Sequence, residues 1–310
     1  MRGKFFLNID LALSKIKPYE GFIFLCGGPT DIRSHLPLSV RDAIYRELSK
    51  DTEIDSRIRV AEHYKDWSSD SIYQDLVLFE QHLAELSSVI VLILESPGSI
   101  AELGLFSVVS EFQEKLLVFV DTSHYTSNSF IRLGPISHLE KISNNSAHCY
   151  RWLSNEEHPK FDPAAAVALQ PDLKDAVLER ITRPAKEHLF KFDKWLDFAL
   201  LLCDVLNINS ALTLREIKDI LASLNCLKSE KELRQALFIL EKVELITMEP
   251  SGEQRFYLSV GAGLYLKYHV EGKSADLDRL RYDILTDYSV GDKKRFRAIQ
   301  NARRRYARPD

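Results

Sequence analysis

Residues 89–104, VIVLILESPGSIAELG, decide the fold of this chain. The six apolar residues 89–94 form a short continuous run, which is typical of a strand buried on both faces of a parallel sheet. The glycine and proline that follow predict a tight bend, and the last residues predict the start of a helix. Strand, bend and helix in this order predict one βα unit.

The alternation of apolar runs and amphipathic helices extends to both sides of this stretch. GFIFLC (21–26) and LLVFV (116–120) predict two more strands, and RIRV (57–60) predicts a short one. Between them, apolar residues recur every three or four positions over 72–86, as in a helix with one buried face. We therefore predict a Rossmann-like α/β domain over residues 1–155.

The sequence changes character after this domain. Prolines and the lack of a strand pattern predict a linker and helix over residues 156–190. Two capping boxes, a long apolar helix and a hairpin with Ser251-Gly252 at its turn predict a mainly helical winged helix-turn-helix domain over 191–270. The capping boxes pair Thr213 with Glu216 and Ser229 with Glu232. A basic helical tail is predicted over 271–310.

Composition argues against several classes of protein. No apolar run reaches the roughly 18 residues of a membrane span, and the start of the chain lacks a secretory cleavage site, so we expect a cytoplasmic protein without membrane contact. The cysteines Cys26, Cys149, Cys203 and Cys226 form no CxxC pair. We therefore expect neither disulfides nor a metal site.

Small and polar residues follow three of the predicted strands. Because the carboxyl ends of parallel strands meet at one edge of the sheet, these residues are candidates for one binding site. The candidate substrate-binding residues are Cys26, Gly27, Gly28, Pro29, Thr30, Ser96, Gly98 and Ser99. The candidate catalytic residues are Glu102, Glu95 and Asp121.

Glu102 has two interpretations. It stands three residues after Ser99, so it could close a capping box and serve only the helix start. Alternatively, the positive end of the helix could hold Glu102 as a carboxylate, the form that attacks the anomeric carbon of a sugar. Gly98 would let a sugar-phosphate approach the backbone closely.

Four blocks of sequence carry a resemblance to known families. FLCGG (24–28) and ESPGSIAELG (95–104) resemble the nucleoside 2-deoxyribosyltransferase fold, whose nucleophile is the glutamate of a G-x-x-x-E-[LI]-G motif, here Glu102. With SFIRLGPISHL (129–139) and LDRLRYDIL (277–285), they resemble retron-associated effectors that join such a domain to a winged helix.

The resemblance implies a toxic N-glycosidase that breaks NAD. It further implies restraint by a reverse transcriptase and its multicopy DNA–RNA hybrid, release during phage infection, and a homo-oligomer or higher assembly. NAD would be the substrate, and no cofactor is expected. The transferases usually carry an aspartate where this chain has Ser96, which favours cleavage over base exchange. Glu95 or Asp121 would then bind ribose hydroxyls or orient water.

The basic residues are unevenly distributed. Residues 293–308 carry eight basic side chains and no acidic one, against a net charge of −4 for the whole chain. This pattern predicts a contact with a polyanion or an acidic surface, although a solvated helix is the simpler alternative. The candidate contacts are Lys231, Arg234, Arg255, Lys293, Lys294, Arg295, Arg297, Arg303, Arg304 and Arg305.

Within the predicted winged helix, Lys231, Arg234 and Gln235 would be the exposed readers of DNA. The glutamates on the same helix oppose phosphate, which favours docking to a protein–nucleic acid complex over sequence reading. Phe296 and Tyr306 in the tail could stack on bases.

A second hypothesis remains open: a nucleic-acid-binding regulator whose α/β domain senses a nucleotide without cleaving it. A dehydrogenase is disfavoured, because CGGPT lacks the GxGxxG fingerprint.

Overall fold

The computed structural model describes residues 5–60, 62, 64, 72–143, 146–154, 159–183, 185–270 and 276–306. The chain divides into two compact units. The first unit comprises residues 20–66 and 75–184, and the second comprises residues 1–19, 67–74 and 185–310. Residues 307 and 308 of the basic segment lie outside the described ranges.

The first unit is built on a five-stranded parallel sheet. In spatial order its strands are β3 (Ile58–Arg59), β2 (Phe22–Cys26), β4 (Ser87–Ile93), β5 (Leu116–Asp121) and β6 (Ala147–Tyr150). The helices are α1 (Val40–Leu48), α2 (Thr52–Arg57), α3 (Leu76–Leu86), α4 (Pro97–Ser107), α5 (Ser110–Gln113), α6 (Thr122–Tyr125), α7 (Ser137–Ile142) and α8 (Pro163–Ile181), with a π-helical turn at Arg132–Ile136. The predicted Rossmann-like α/β fold is confirmed.

Burial of apolar side chains holds this sheet between its helices. Leu25, Val91 and Phe119 lie in one buried cluster with Ile44 of α1 and Val177 of α8. The central strands are apolar at almost every position because helices cover both faces of the sheet. Helix α8, which falls within the stretch predicted as linker and helix, thus contributes to the core of the first unit.

The second unit combines a small sheet with a helical region. The sheet is antiparallel, in the order β10 (Leu266–Val270), β1 (Ile9–Ile16), β7 (His188–Leu189), and a 3₁₀ turn at Phe6–Asn8 precedes β1. The remaining elements are the hairpin β8 (Ile246–Ser251) and β9 (Gln254–Ser259) and the helices α9 (Trp195–Asn209), α10 (Leu214–Ser223), α11 (Glu230–Lys242), α12 (Leu277–Gly291) and α13 (Lys293–Tyr306). Three helices followed by a hairpin is the order of a winged helix.

The local signals in this unit are largely as predicted. Thr213 with Glu216 and Ser229 with Glu232 form both predicted capping boxes, at the starts of α10 and α11. The predicted hairpin turn is displaced by one residue: Ser251 still pairs with Gln254, so Gly252 and Glu253 make the turn. Gly252 has a φ of +63°, which glycine adopts readily.

Within the described ranges, the helices are too short or too polar for any of them to cross a membrane.

Candidate functional site

The bend after β4 is closed by two serines. The Oγ of Ser96 accepts a hydrogen bond from the backbone N–H of Ser99, and the Oγ of Ser99 accepts one from that of Ser96, both at 3.1 Å. The interpretation in which Glu102 closes a capping box with Ser99 is therefore wrong, since Ser96 already caps a helix that begins at Pro97. Glu102 lies in the second turn of α4, where the helix dipole has largely faded.

The carboxyl group of Glu102 is mostly buried and incompletely paired. Burial raises its pKa to about 7; the charge of Arg41 and a hydrogen bond from the Cys26 thiol oppose this rise, whereas the charge of Glu62 adds to it. Among the described residues, its buried Oε2 has no hydrogen-bond partner. A buried acceptor left without a partner is costly, and a bound ligand would satisfy it.

Arg41 is a buried cation that forms a charged cluster with Glu102 and Glu62. It stands in the first turn of α1 and is 3% exposed. Its guanidinium donates to both carboxylate oxygens of Glu62, at 2.9 and 2.7 Å. Its buried Nε finds no acceptor in the described part of the chain. A guanidinium fixed in this way favours the ionised form of Glu102.

A second buried carboxyl group, Glu80, was missed by the sequence analysis. It projects from α3, is 7% exposed, and has a pKa raised to about 8 by burial, with further contributions from the charges of Glu102 and Glu62. At neutral pH Glu80 therefore keeps its proton more readily than Glu102 does. The sequence carried a signal for this site, because Glu80 follows Phe79 on the apolar side of the predicted helix. Charged residues at such positions are rarely buried without a reason.

Glu95 holds the loop after β2 against the start of α1. Its carboxylate accepts backbone N–H groups of Gly28, Val40 and Arg41 at 2.8, 2.7 and 2.9 Å. Burial raises the pKa of Glu95, and these three hydrogen bonds oppose that rise. A Cβ on Gly28 would lie 3.0 Å from the Glu95 carboxyl carbon, so this glycine is required by the packing of the loop.

Asp121 has a similar supporting arrangement. Its carboxylate accepts the backbone N–H of Ser123, Trp152 and Leu153 at 2.9 to 3.2 Å, and it is 2% exposed. Burial raises its pKa, but these hydrogen bonds and that of the Ser123 hydroxyl outweigh the effect, so the pKa is lowered. The carboxylate of Asp121 is thus ionised, and its oxygens already accept hydrogen bonds from the backbone.

A cavity of about 260 Å³ lies at the carboxyl edge of the sheet. Four predicted site residues line it: Gly28, Pro29, Glu95 and Ser96. The aromatic side chains Trp152 and Phe161, together with His124, also line it and were not predicted. The other candidates, namely Cys26, Gly27, Thr30, Gly98, Ser99, Glu102 and Asp121, are not among its lining residues.

The predicted site residues therefore fall into two neighbouring groups. Glu102 and Cys26 belong to the charged cluster with Arg41, and Glu95 lines the cavity. Gly27 joins the groups, because a Cβ there would lie 3.0 Å from both the Arg41 Cβ and the Glu95 Oε1. In the part of the chain that the structure describes, no three His, Cys, Asp or Glu side chains are grouped to hold a metal ion.

The candidate DNA readers of α11 are engaged with their own unit. Arg234 pairs with Glu230 at 2.8 Å, and Lys231 donates to Gln74 at 2.9 Å. The expectation that Gln235 is exposed was wrong, since it is 3% exposed. Arg255 lines a cavity of about 730 Å³ beside α11.

The basic residues of α13 differ in exposure and in whether they form ion pairs. Arg295 is 4% exposed and pairs with Glu216 at 2.7 Å and Asp292 at 2.9 Å, which secures α13 to its unit. Arg305 pairs with Glu249 at 2.8 Å. The exposed basic residues are Lys293, Lys294, Arg297, Arg303, Arg304 and Arg305.

The chain is similar to known retron proteins. The model of the family described as STM3845 retron effector protein matches residues 37–248. An Escherichia coli protein named provisionally as the ribosyltransferase/DNA-binding protein of retron Ec86 is 33% identical over 166 residues, or 54% of this chain and 52% of that protein. The chain therefore matches about half the length of that relative.

The corresponding Escherichia coli protein of retron Ec73 is 25% identical over 309 residues, which cover 90% of this chain and 88% of that protein. Its name carries the same provisional assignment. The resemblance found in the sequence is confirmed, and the family match covers most of the first unit and nearly half of the second. The chain belongs to the STM3845 retron effector family.

Proposed function

We propose that this retron effector cleaves the N-glycosidic bond of NAD and releases nicotinamide, with Glu102 as nucleophile. The observation that carries the proposal is that the buried Oε2 of Glu102 has no hydrogen-bond partner among the residues that the structure describes, although the buried guanidinium of Arg41 is close by. An unpartnered carboxylate oxygen in a partly desolvated site is costly for folding but suits attack on a cationic centre.

The reaction divides into two balanced steps. Glu102 attacks C1′ of the ribose, the bond from C1′ to the pyridinium nitrogen breaks, and the electron pair of that bond leaves nicotinamide neutral. Water then attacks C1′ of the glycosyl ester, which regenerates the carboxylate and yields ADP-ribose and a proton. Because the leaving nitrogen is cationic in NAD, the first step needs no general acid. One ionised carboxylate is therefore enough.

The two carboxyl groups of the cluster would have different tasks. Glu80, whose pKa of about 8 exceeds that of Glu102, keeps its proton while Glu102 is ionised. A neutral Glu80 avoids adding its charge to that of Glu62, which already raises the pKa of Glu102. Arg41, which is shared with Glu62, then has one carboxylate fewer to stabilise beside Glu102.

The neighbouring cavity would hold the rest of the substrate. Phe161 offers aromatic surface to a base, and Ser96 offers a hydroxyl. Glu95 and Asp121 would support this cavity by fixing its backbone, rather than by contacting the reacting carbon.

The proposal includes the partners implied by the family. The provisional names of the relatives include DNA binding, and we extend this to the second unit, whose α13 exposes six basic residues. Restraint by the reverse transcriptase and its multicopy DNA, and self-association into a higher assembly, complete the proposed function.

Nicotinamide release from NAD by the purified full chain tests the enzyme. Glu102→Gln keeps the shape and removes the charge, so release is expected to fall to background. Glu53→Gln is the matched control, because Glu53 is exposed on α2 in the same unit. Unchanged release by Glu102→Gln would overturn the assignment. NAD binding without cleavage by the native chain would instead support a sensor. Parallel assays with NADP, ATP and deoxynucleosides define the substrate.

A further inference from the structure

Part of the face of α11 that a winged helix commonly offers to a DNA groove is covered by residues 72–73 of the same unit. Tyr73 is 2% exposed, its hydroxyl donates to the backbone oxygen of Gln235 at 3.3 Å, and its ring lies 6.0 Å from that of Phe238. The amide of Gln235 in turn donates to the backbone oxygen of Ile72 at 3.2 Å. Arg234 pairs with Glu230, and Glu230 and Glu241 line the cavity beside α11, so this surface offers a nucleic acid little net positive charge.

A different cavity of the same unit has the chemistry that α11 lacks. It measures about 540 Å³ and is bounded by the hairpin strands β8 and β9 and by helices α12 and α13. Leu258 and Ile299 give it apolar walls, Arg281 and Arg303 give it positive charge, and Tyr306 stands at 36% exposure. None of the described residues that line it is acidic.

Arg281 supplies a donor that the protein leaves unused. One of its terminal nitrogens donates to the side chain of Asn207, and the other to Asp278 at 3.2 Å. Its Nε is buried and has no hydrogen-bond partner among the described residues. Asp278 is almost fully exposed, so its charge is well screened by solvent. An acceptor such as a base carbonyl or a phosphate oxygen would satisfy the Nε.

Arg303 extends the positive charge to the surface. It follows Ile299 by four positions on α13, is exposed, and pairs with no acidic side chain in the described ranges. The exposed Arg304 is its neighbour on the helix but does not line the cavity. The cavity therefore opens beside a helix that carries several exposed cations.

We propose that this cavity receives an unpaired base of a single-stranded nucleic acid, whose flanking phosphates lie on Arg303 and the exposed cations of α13. Apolar walls and an aromatic ring suit the face of a base, and guanidinium groups suit phosphate. A base inside a duplex could not enter, because it is stacked and paired. The inference rests on the DNA-binding part of the proposed function and gives it a place and a strand type.

Fluorescence anisotropy with the full chain tests the proposal. The probes are a labelled oligo(dT), a matching oligo(U) and a hairpin duplex. The test variant Arg303→Ala/Tyr306→Ala removes one cation and the aromatic ring, and the control Arg304→Ala removes one exposed cation from the same helix. Arg234→Ala removes a cation of α11.

We expect the native chain to bind oligo(dT) more tightly than the duplex, and the double variant to bind it about tenfold or more weakly, as for a lost base stack. Arg304→Ala should lose a much smaller, salt-dependent part of the affinity for oligo(dT), and Arg234→Ala should bind it with the native affinity. Equal binding of oligo(U) supports a single-strand site for both nucleic acids, and tighter binding of oligo(dT) assigns it to DNA.

Two failures are distinguishable. If the native chain binds none of the probes, the DNA-binding part of the proposed function is wrong. If the native chain binds oligo(dT) but the double variant has the same affinity for it as Arg304→Ala, the cavity is not the site. The same conclusion follows if the native chain prefers the duplex. The melting temperature of each variant is measured in the same buffer, and a native value shows that the exposed substitutions leave the fold intact.

Discussion

Replacing Glu102 with glutamine should stabilise the protein in alkaline solution while it removes activity. Burial, against the opposing charge of Arg41, raises the pKa of Glu102 from 4.5 to about 7. That shift corresponds to about 3 kcal/mol of preference for the neutral form. Because the folded-state pKa is raised, the stabilisation is complete below the unfolded pKa and is lost as the pH rises through about 7. Above that pH, the native state bears the cost of a buried charge that glutamine lacks.

Local relaxation of the structure around the carboxylate reduces this value. We therefore expect Glu102→Gln to raise the free energy of unfolding by about 1–3 kcal/mol at about pH 8.5. Thermal unfolding of the full chain at about pH 5 and about pH 8.5 measures it. The melting temperature should rise by roughly 3–8 °C at the higher pH and barely change at the lower one. Glu53→Gln, exposed in the same unit, should change little at either pH.

The pH dependence makes the test specific. A melting temperature that falls at about pH 8.5, or rises equally at both values, would refute the reasoning. The first result would mean that the carboxylate is needed by the fold, and the second that its ionisation is irrelevant. A functional carboxylate, by contrast, is retained at a cost in stability.

Three further predictions concern the supports of the two units. Arg41→Gln removes the charge that lowers the pKa of Glu102, so the midpoint of the rise of nicotinamide release with pH should move above about 7; an unmoved midpoint would separate Arg41 from the nucleophile. Glu95→Gln places an amide against at least one of three backbone N–H donors and should cost about 1–3 kcal/mol in urea unfolding. A neutral result there would show that the loop after β2 has other anchors. Arg295→Ala should cost about 3 kcal/mol at neutral pH by breaking the buried pair with Glu216. Against the effect of burial, the hydrogen bonds and charge of Arg295, together with the hydrogen bonds of Thr213, lower the pKa of Glu216 to about 2. The contribution of this carboxylate is therefore lost as the pH falls from about 4.5 towards 2, and the variant should approach the native stability in acid.

The secondary-structure elements that could be predicted from the sequence are those whose signals lie close together in the chain. Continuous apolar runs identified β2, β4 and β5, and the spacing of Thr213 and Glu216 identified a helix start. The start of α4 was misjudged because Ser96 and Ser99 both stand three residues before a residue that can complete a capping box. Only the structure shows which serine is the cap.

The remaining errors involve residues that meet only after folding. Arg41, Glu80 and Glu102 come from three different helices, so no spacing in the sequence joins them. Gln235 was expected to be exposed because its cover, Ile72 and Tyr73, lies more than 160 residues earlier. Glu80 was the most accessible of these clues, since a carboxyl group among apolar helix positions requires a partner or a function.

The second unit is discontinuous in sequence, and this limits how the protein can be dissected. A fragment that begins at residue 191 would lack β1 and β7 of the sheet β10-β1-β7, together with Ile72 and Tyr73, which cover Gln235 on α11. Its exposed strand edge would favour aggregation. A truncated second unit that fails to bind nucleic acid would therefore reflect its own incomplete fold, and point substitutions in the intact chain are the sounder way to separate the two proposed activities.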